Sequence, residues 1–157
     1  MAQKSDYSGW LSFDLLQESI ITPGVIKSLT ETILGGTKGI IETVEVDFPA
    51  HLTLLTLGYK VTAKTLEVLR NHRDAILQTY TAQLGEIMPL SEQYIVIRVI
   101  QNEIAELSQT LLLELKDVGE DPIQKVDENS PFGYLGHISL VRYDTKENRD
   151  EAMKRVH

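Results

Sequence analysis

Short runs of the chain alternate apolar and polar residues with a period of two. Leu11, Phe13 and Leu15 alternate with polar neighbours, IETVEVD and HLTLLTL continue the pattern, and YIVIRVI is β-branched and aromatic. Because successive side chains of a strand point to opposite faces, such runs are typical of strands with one face in a core. The pattern predicts five strands, at residues 9–16, 41–47, 51–57, 94–100 and 134–143.

Between these runs, apolar residues recur every three or four positions, which is the spacing of amphipathic helices. The first helix is predicted to begin at Thr22-Pro23, an N-cap followed by proline, and to end before Gly35-Gly36. Longer helices are predicted over residues 62–84 and 102–118, a polar loop over 120–133, and one or two helical turns in the charged tail. Strands and helices therefore alternate along the chain as two β-α-β units.

One short pattern occurs twice, as HLTL from residue 51 and as HISL from residue 137. The same offset aligns Leu11 with Ile97 and Phe13 with Val99, so the preceding predicted strands coincide as well. The repeated order of strand, helix, strand and helix favours an internal duplication. We therefore expect one domain over residues 1–157, built from two lobes related by a pseudo-two-fold axis, with both HLTL-like strands lining a central cleft.

Each copy of the pattern brings an imidazole and a hydroxyl to one strand face. His51 and Thr53 are two positions apart, as are His137 and Ser139, while the intervening and following residues are apolar. An imidazole has an ordinary pKa of about 6.5, so two of them can act as a neutral base and a protonated acid near neutral pH. Hydroxyls at +2 can donate hydrogen bonds to phosphate oxygens. This combination predicts displacement at phosphorus without a metal.

Composition excludes several other kinds of chemistry. The chain of 157 residues has no cysteine, which excludes thiolate nucleophiles, disulfides and cysteine-bound zinc. Four histidines without an HExxH motif give little basis for a zinc site, so no cofactor is expected. With 15 basic and 23 acidic residues the net charge is −8, which argues against broad binding to long duplex nucleic acid.

The chain also lacks signals for membrane insertion or secretion. No apolar run approaches the roughly 20 residues of a membrane span, and the first ten residues lack the apolar segment of a signal peptide. We expect a cytoplasmic monomer whose partner is a small nucleotide or oligonucleotide.

The segments HLTLLTLG and GHISLVRY resemble the two H-x-[ST]-hydrophobic signatures of the 2H phosphoesterase superfamily, which includes 2′-5′ RNA ligase-like proteins and cyclic nucleotide phosphodiesterases. The resemblance covers most of the chain in element order. It implies a bilobal α+β cleft lined by antiparallel sheets, with His51, Thr53, His137 and Ser139 as catalytic residues. Arg142 matches the arginine that often ends the second signature, while serine replaces the commoner threonine at position 139.

The same resemblance implies three substrate classes, namely 2′,3′-cyclic phosphates, 2′-5′ oligonucleotides and cyclic oligonucleotide signals. Some compact viral members of the superfamily degrade such signals of host immunity, and the short chain resembles them. The alternatives are a nucleotide-binding module that keeps the cleft without turnover, and a structural domain in which the two imidazoles lie far apart.

Residues near the two motifs are candidates for substrate binding. Lys60 and Arg142 can neutralise phosphate or can be solvated charges. An aromatic group can stack on a base or can pack in the interior. That group comprises Tyr59, Phe132, Tyr134 and Trp10, of which Trp10 is expected more as a core residue than as a ligand platform. His72, His157 and the alternating carboxylates of Glu42, Glu45 and Asp47 are expected to be solvated.

Overall fold

The computed structural model of the protein describes residues 10–15, 21–124 and 127–156, and these ranges form an α+β structure. The elements along the chain are β1 (Trp10–Asp14), α1 (Pro23–Leu34), β2 (Ile40–Thr43), β3 (His51–Thr56), α2 (Ala63–Asn71), α3 (Arg73–Leu77), β4 (Gln83–Leu90), β5 (Tyr94–Ile100), α4 (Asn102–Asp117), β6 (His137–Tyr143) and α5 (Lys146–Met153). Within the described ranges, no helix is both long and apolar enough to span a membrane.

The start of α1 follows the predicted capping pattern. The Thr22 hydroxyl accepts a hydrogen bond from the Val25 N–H over 3.2 Å, and Pro23 is the first helical residue. The helix ends at Leu34 before Gly35, as the glycine pair predicts. Helix α4, strand β5 and the short C-terminal helix α5 also form where the pattern predicts them.

The helix predicted over residues 62–84 is wrong beyond its first half. Helix α2 ends at Asn71, because His72 leaves helical geometry with φ −117° and its ring contacts Glu114 of α4 over 2.6 Å. The short α3 follows, and the chain then enters β4, which contains Gly85 and Pro89. In the part of the chain that the structure describes, β4 is the edge strand of the four-stranded sheet, a position in which proline is tolerated.

The strand predicted over residues 41–47 also ends early, at Thr43. Glu45 has a left-handed φ of 62°, so residues 45–47 form a turn in place of a continued strand. The Asp47 carboxylate accepts the Thr43 N–H over 2.8 Å and stabilises this turn. Glu42, Glu45 and Asp47 each accept a hydrogen bond, from Arg142, the Ala50 N–H and the Thr43 N–H respectively. Glu42 and Glu45 are half-buried, contrary to the expectation of a solvated strand face, whereas Asp47 is exposed as expected.

Six strands of the described ranges form two sheets, a two-stranded sheet in the order β1-β3 and a four-stranded sheet in the order β2-β6-β5-β4. Strand β6 is central in the larger sheet and runs antiparallel to both β2 and β5. Helices α1 and α5 pack against β6 and cover its buried apolar residues. Arg149 of α5 is only 4% exposed, and its guanidinium donates to the carbonyl oxygens of Ser91 and Tyr94 at 2.8 and 3.2 Å, which fixes the β4–β5 connection.

The chain divides into two compact units that alternate along the sequence. One unit comprises Met1–Ser12, Thr53–Gln83 and Ile100–Gly136, and the other comprises Phe13–Leu52, Leu84–Val99 and His137–His157. In the first, α4 packs against α2, and the Ser108 hydroxyl donates to the Leu54 carbonyl over 2.8 Å. The second contains the four-stranded sheet with α1 and α5. A pseudo-two-fold relation between two lobes stays a prediction.

Candidate active site

The two motif strands have the same burial pattern. In residues 51–57 and again in residues 137–143, half-buried and buried side chains alternate, two buried residues follow, and the alternation then resumes. His51 and Thr53 are half-buried on one face of β3, and His137 and Ser139 are half-buried on one face of β6. The prediction that each histidine shares a face with its hydroxyl partner is therefore confirmed.

A β-bulge explains the two consecutive buried residues of β6. Opposite β5, Val141 pairs with Ile95 and Ser139 pairs with Val96, so Leu140 is an extra residue without a partner of its own on β5. A bulge of this kind shifts the alternation of faces by one position along the bulged strand. Strict period two does not hold through Leu140 and Val141, which are both fully buried.

The bulge brings Arg142 onto the face of His137 and Ser139. Arg142 lies five positions after His137, and an odd separation in a regular strand would put it on the opposite face. After the bulge it is half-buried like the two motif residues, whereas its neighbours Val141 and Tyr143 are fully buried. In β3 the equivalent position is Thr56, so only the second motif carries an arginine there.

Arg142 is held in place by a carboxylate of the neighbouring strand. Its Nε donates to Glu42 Oε1 over 2.5 Å, and the two side chains are 29% and 37% exposed. The two residues are also opposite each other in the antiparallel register of β2 and β6. Arg142 is predicted to bind phosphate. Its guanidinium is already held by Glu42 in the structure.

A second arginine, Arg98 of β5, lies directly across from His137 in the same sheet. Opposite residues of an antiparallel pair have their side chains on the same face, so Arg98 shares the face of His137. Its Nη1 is 3.5 Å from Oε1 of Glu86 on β4. Sequence reasoning missed this residue. The signal available was that Arg98 is the one charged residue in the apolar run YIVIRVI.

The ring of His51 is oriented by the backbone just before it. His51 Nδ1 is 2.8 Å from the carbonyl oxygen of Pro49. A carbonyl oxygen can only accept, so Nδ1 carries the hydrogen, and in the neutral ring Nε2 then has the free lone pair. This is the arrangement that a general base acting through Nε2 requires.

The turn before His51 is held by hydrogen bonds within the turn and by a hydrogen bond to β6. The Glu45 N–H donates to the Phe48 carbonyl over 2.6 Å, and the Glu45 carboxylate accepts the Ala50 N–H over 2.5 Å. Val44 donates its N–H to the Leu140 carbonyl over 2.9 Å, and Phe48 lies beside Val44 in a parallel bridge. The segment that presents His51 is therefore anchored on the strand of the second motif.

These bridges give the direction in which the chain approaches the first motif. Strand β2 runs antiparallel to β6, so the chain passing Val44 advances towards the His137 end of β6. Phe48 lies beside Val44 in a parallel bridge, so the chain leaves Phe48 in that same direction before it reaches His51.

The remaining predicted site residues belong to the other unit. Thr53 follows His51 on β3, and its carbonyl oxygen accepts the Tyr134 hydroxyl over 2.6 Å. Tyr134 is 8% exposed, and burial raises its pKa well above the ordinary value. This burial favours the packing alternative for Tyr134 over base stacking. Lys60 is exposed, and its two alternatives, a phosphate-binding charge and a solvated charge, both stay predictions.

Two aromatic side chains of the predicted site, Trp10 and Tyr59, have surroundings that the sequence left open. Trp10 is 53% exposed, so it is not the core residue that was expected, and its role as a ligand platform stays a prediction. The Tyr59 hydroxyl is 3.1 Å from the Thr65 hydroxyl. Burial raises the pKa of Tyr59, the Thr65 bond opposes this, and the charge of Glu120 adds to it.

His72, which was expected to be solvated, contacts the Glu114 carboxylate over 2.6 Å, and its side chain is 23% exposed. His157 lies outside the described residues. Phe132 is exposed, and its left-handed φ of 55° places it in a tight turn. In the part of the chain that the structure describes, no group of three or more histidine, aspartate or glutamate side chains is arranged to hold a metal ion.

A scan of the chain against protein-family models finds no matching family, and a search of curated proteins finds no relative. The resemblance to the 2H phosphoesterases therefore rests on the two motifs.

Proposed function

We propose that the protein is a metal-independent phosphodiesterase that cleaves a small nucleotide phosphodiester by acid–base catalysis between His51 and His137. The observation that carries the proposal is the matched burial pattern of the two motif strands. Each presents one imidazole and one hydroxyl on its half-buried face. A repeated arrangement of this kind supports a paired function more strongly than a single histidine in a strand.

In one substrate orientation His51 is the base. Its Nε2 takes a proton from water as the water oxygen attacks phosphorus. The bond from phosphorus to the leaving oxygen breaks on the opposite side, and protonated His137 gives its proton to that oxygen. The step leaves His51 protonated and His137 neutral, and exchange with solvent restores both. In the reverse orientation the two histidines exchange roles.

The hydroxyls and Arg142 complete the proposed chemistry. Thr53 and Ser139 donate hydrogen bonds to the non-bridging phosphate oxygens, where negative charge is held during displacement. Arg142 adds a positive charge on the same face as His137 and Ser139, and its bond to Glu42 limits the loss of side-chain freedom on binding. Among the proposed substrates are 2′,3′-cyclic phosphates, 2′-5′ oligonucleotides and cyclic oligonucleotides.

A product assay over these three substrate classes, run in EDTA, tests the proposal. The wild-type protein is expected to convert at least one class, and His137→Ala is expected to lose that activity while it stays folded. Full activity in His137→Ala would overturn the proposed mechanism. Retention of a nucleotide without any product over a long incubation would identify the protein as a binding module and overturn the proposed reaction.

A further inference from the structure

Arg98 is a charged residue in a strand whose other residues are largely apolar. Its neighbours Ile97 and Val99 are buried, yet the Arg98 side chain is 29% exposed. It is the direct partner of His137 in the β5–β6 register, on the same sheet face. A cation therefore lies one strand spacing from the proposed catalytic imidazole.

The ion pair that holds Arg98 is long and solvent-exposed. Nη1 of Arg98 is 3.5 Å from Glu86 Oε1, and the Glu86 side chain is 59% exposed. Exposed ion pairs of this kind contribute little to stability, because water and salt compete for both charges. A phosphate can offer two oxygens to the planar guanidinium at once, which makes a stronger, charge-assisted contact.

Arg142 on the same face differs from Arg98 in this respect. Its Nε contacts Glu42 over 2.5 Å, and Glu42 is less exposed than Glu86. A phosphate can therefore displace the carboxylate from Arg98 more readily than from Arg142. Arg98 lies opposite His137 on the neighbouring strand β5, and Arg142 lies beyond Ser139 on β6 itself.

We propose that Arg98 binds phosphate oxygens of the nucleotide substrate beside His137, and that Glu86 holds its guanidinium when no ligand is bound. The proposal rests on the proposed function for the identity of the ligand, a nucleotide phosphate. Arg98 acts as a substrate-binding residue. Glu86 competes with the phosphate, so its removal strengthens binding.

Binding can be measured without turnover, by calorimetric titration of the full chain with adenosine 2′-monophosphate and with adenosine as the uncharged control. Arg98→Gln is expected to weaken binding of the monophosphate by about tenfold or more and to leave adenosine unaffected. Glu86→Gln is expected to strengthen binding of the monophosphate by about two- to fivefold. Arg73→Gln, a matched change at an exposed position of α3, is expected to change neither.

The sign of the Glu86→Gln effect separates this role from a structural one. If Glu86 merely supported the fold, its replacement would weaken binding, and that result would overturn the proposal. Unchanged binding in Arg98→Gln, or wild-type binding no tighter for the monophosphate than for adenosine, would also overturn it. The proposed function is tested by a different result. If the monophosphate binds in an Arg98-dependent way but none of the three substrate classes is cleaved, catalysis is refuted and the phosphate-binding role of Arg98 is supported.

Discussion

The backbone N–H of Val44 donates to the carbonyl oxygen of Leu140 over 2.9 Å, and this bond links the segment before the first motif to the strand of the second. Val44 and Leu140 are both fully buried, so the link lies in the interior and is shielded from water. Because His51 follows seven residues after Val44 through a hydrogen-bonded turn, the position of its imidazole depends on that turn.

Glu45 is expected to control the position of His51. Glu45→Ala removes the carboxylate that accepts the Ala50 N–H, so the Pro49 carbonyl that orients His51 Nδ1 is less firmly held. Since a misplacement of about 1 Å can cost about 100-fold in rate, we expect kcat to fall by roughly ten- to 100-fold. Steady-state kinetics on the substrate class that the wild-type protein converts provide the measurement.

Glu45→Gln is the matched control, because its side-chain amide keeps an oxygen that can accept the Ala50 N–H. It is expected to retain most of the activity lost in Glu45→Ala. Equal losses in the two variants would show that the negative charge of Glu45, and not the hydrogen bond to Ala50, is what matters.

The sequence was sufficient to predict the parts of the fold in which local pattern decides the structure. Alternation of faces placed His51 with Thr53 and His137 with Ser139, and capping placed the start of α1 at Pro23. These features depend on neighbours within four positions, and a single sequence contains that information.

The contacts around Arg142 were not predictable, because they depend on register between distant strands. Glu42 and Arg142 are 100 positions apart, and they meet only because β2 and β6 pair antiparallel with these residues opposite. A prediction of the face of Arg142 would assume strict alternation along β6, and the bulge at Leu140 breaks that alternation. The break at His72 likewise depends on Glu114, a residue of another helix.

Replacing either motif histidine is expected to remove catalysis and leave the fold intact. His51→Ala and His137→Ala should each lower kcat by about 10²–10⁴-fold, which is the usual contribution of a general acid or base. Both side chains are half-buried, so thermal unfolding should change little. The double variant should lose little more than either single variant, since the two histidines act in one step.

His72→Ala is the matched histidine control for these variants. It removes the contact with Glu114 and should lower stability by roughly 0.5–1 kcal/mol, since the pair is only partly shielded from water. Its turnover per folded molecule at 25 °C should equal that of the wild type. A loss of turnover comparable with His51→Ala would contradict the assignment of catalysis to His51 and His137.

Glu42 is expected to support substrate binding through Arg142. Glu42→Gln removes the charge partner of the Arg142 guanidinium, whose orientation then becomes less fixed on the face of His137. Because ordering a flexible side chain on binding costs about 0.5–1.5 kcal/mol, we expect KM to rise by roughly two- to tenfold with a smaller change in kcat. The KM of Glu42→Gln, compared with that of Arg142→Gln, provides the measurement. A KM unchanged in both variants would remove Arg142 from the proposed site.

The Tyr134 hydroxyl is expected to make stability depend on pH in the alkaline range. Burial raises the pKa of folded Tyr134 above the unfolded value of about 10, so the native state keeps this proton where the unfolded state loses it. Its stabilising contribution is therefore complete below pH 10 and is lost progressively as the pH rises above 10. Tyr134→Phe lacks this titration and also lacks the hydrogen bond to the Thr53 carbonyl.

At pH 7, Tyr134→Phe should be less stable than the wild type by about 1 kcal/mol, the usual cost of one lost hydrogen bond. Between pH 10 and 11 the difference should narrow, because only the wild type must keep a buried phenol protonated against the solvent. Thermal unfolding of both proteins across this range provides the measurement. Other tyrosines with raised pKa values, such as Tyr143, titrate in both proteins, so they cancel in the difference. A gap that stays constant up to pH 11 would show that the pKa of Tyr134 is the same in the folded and the unfolded protein, and would contradict the prediction.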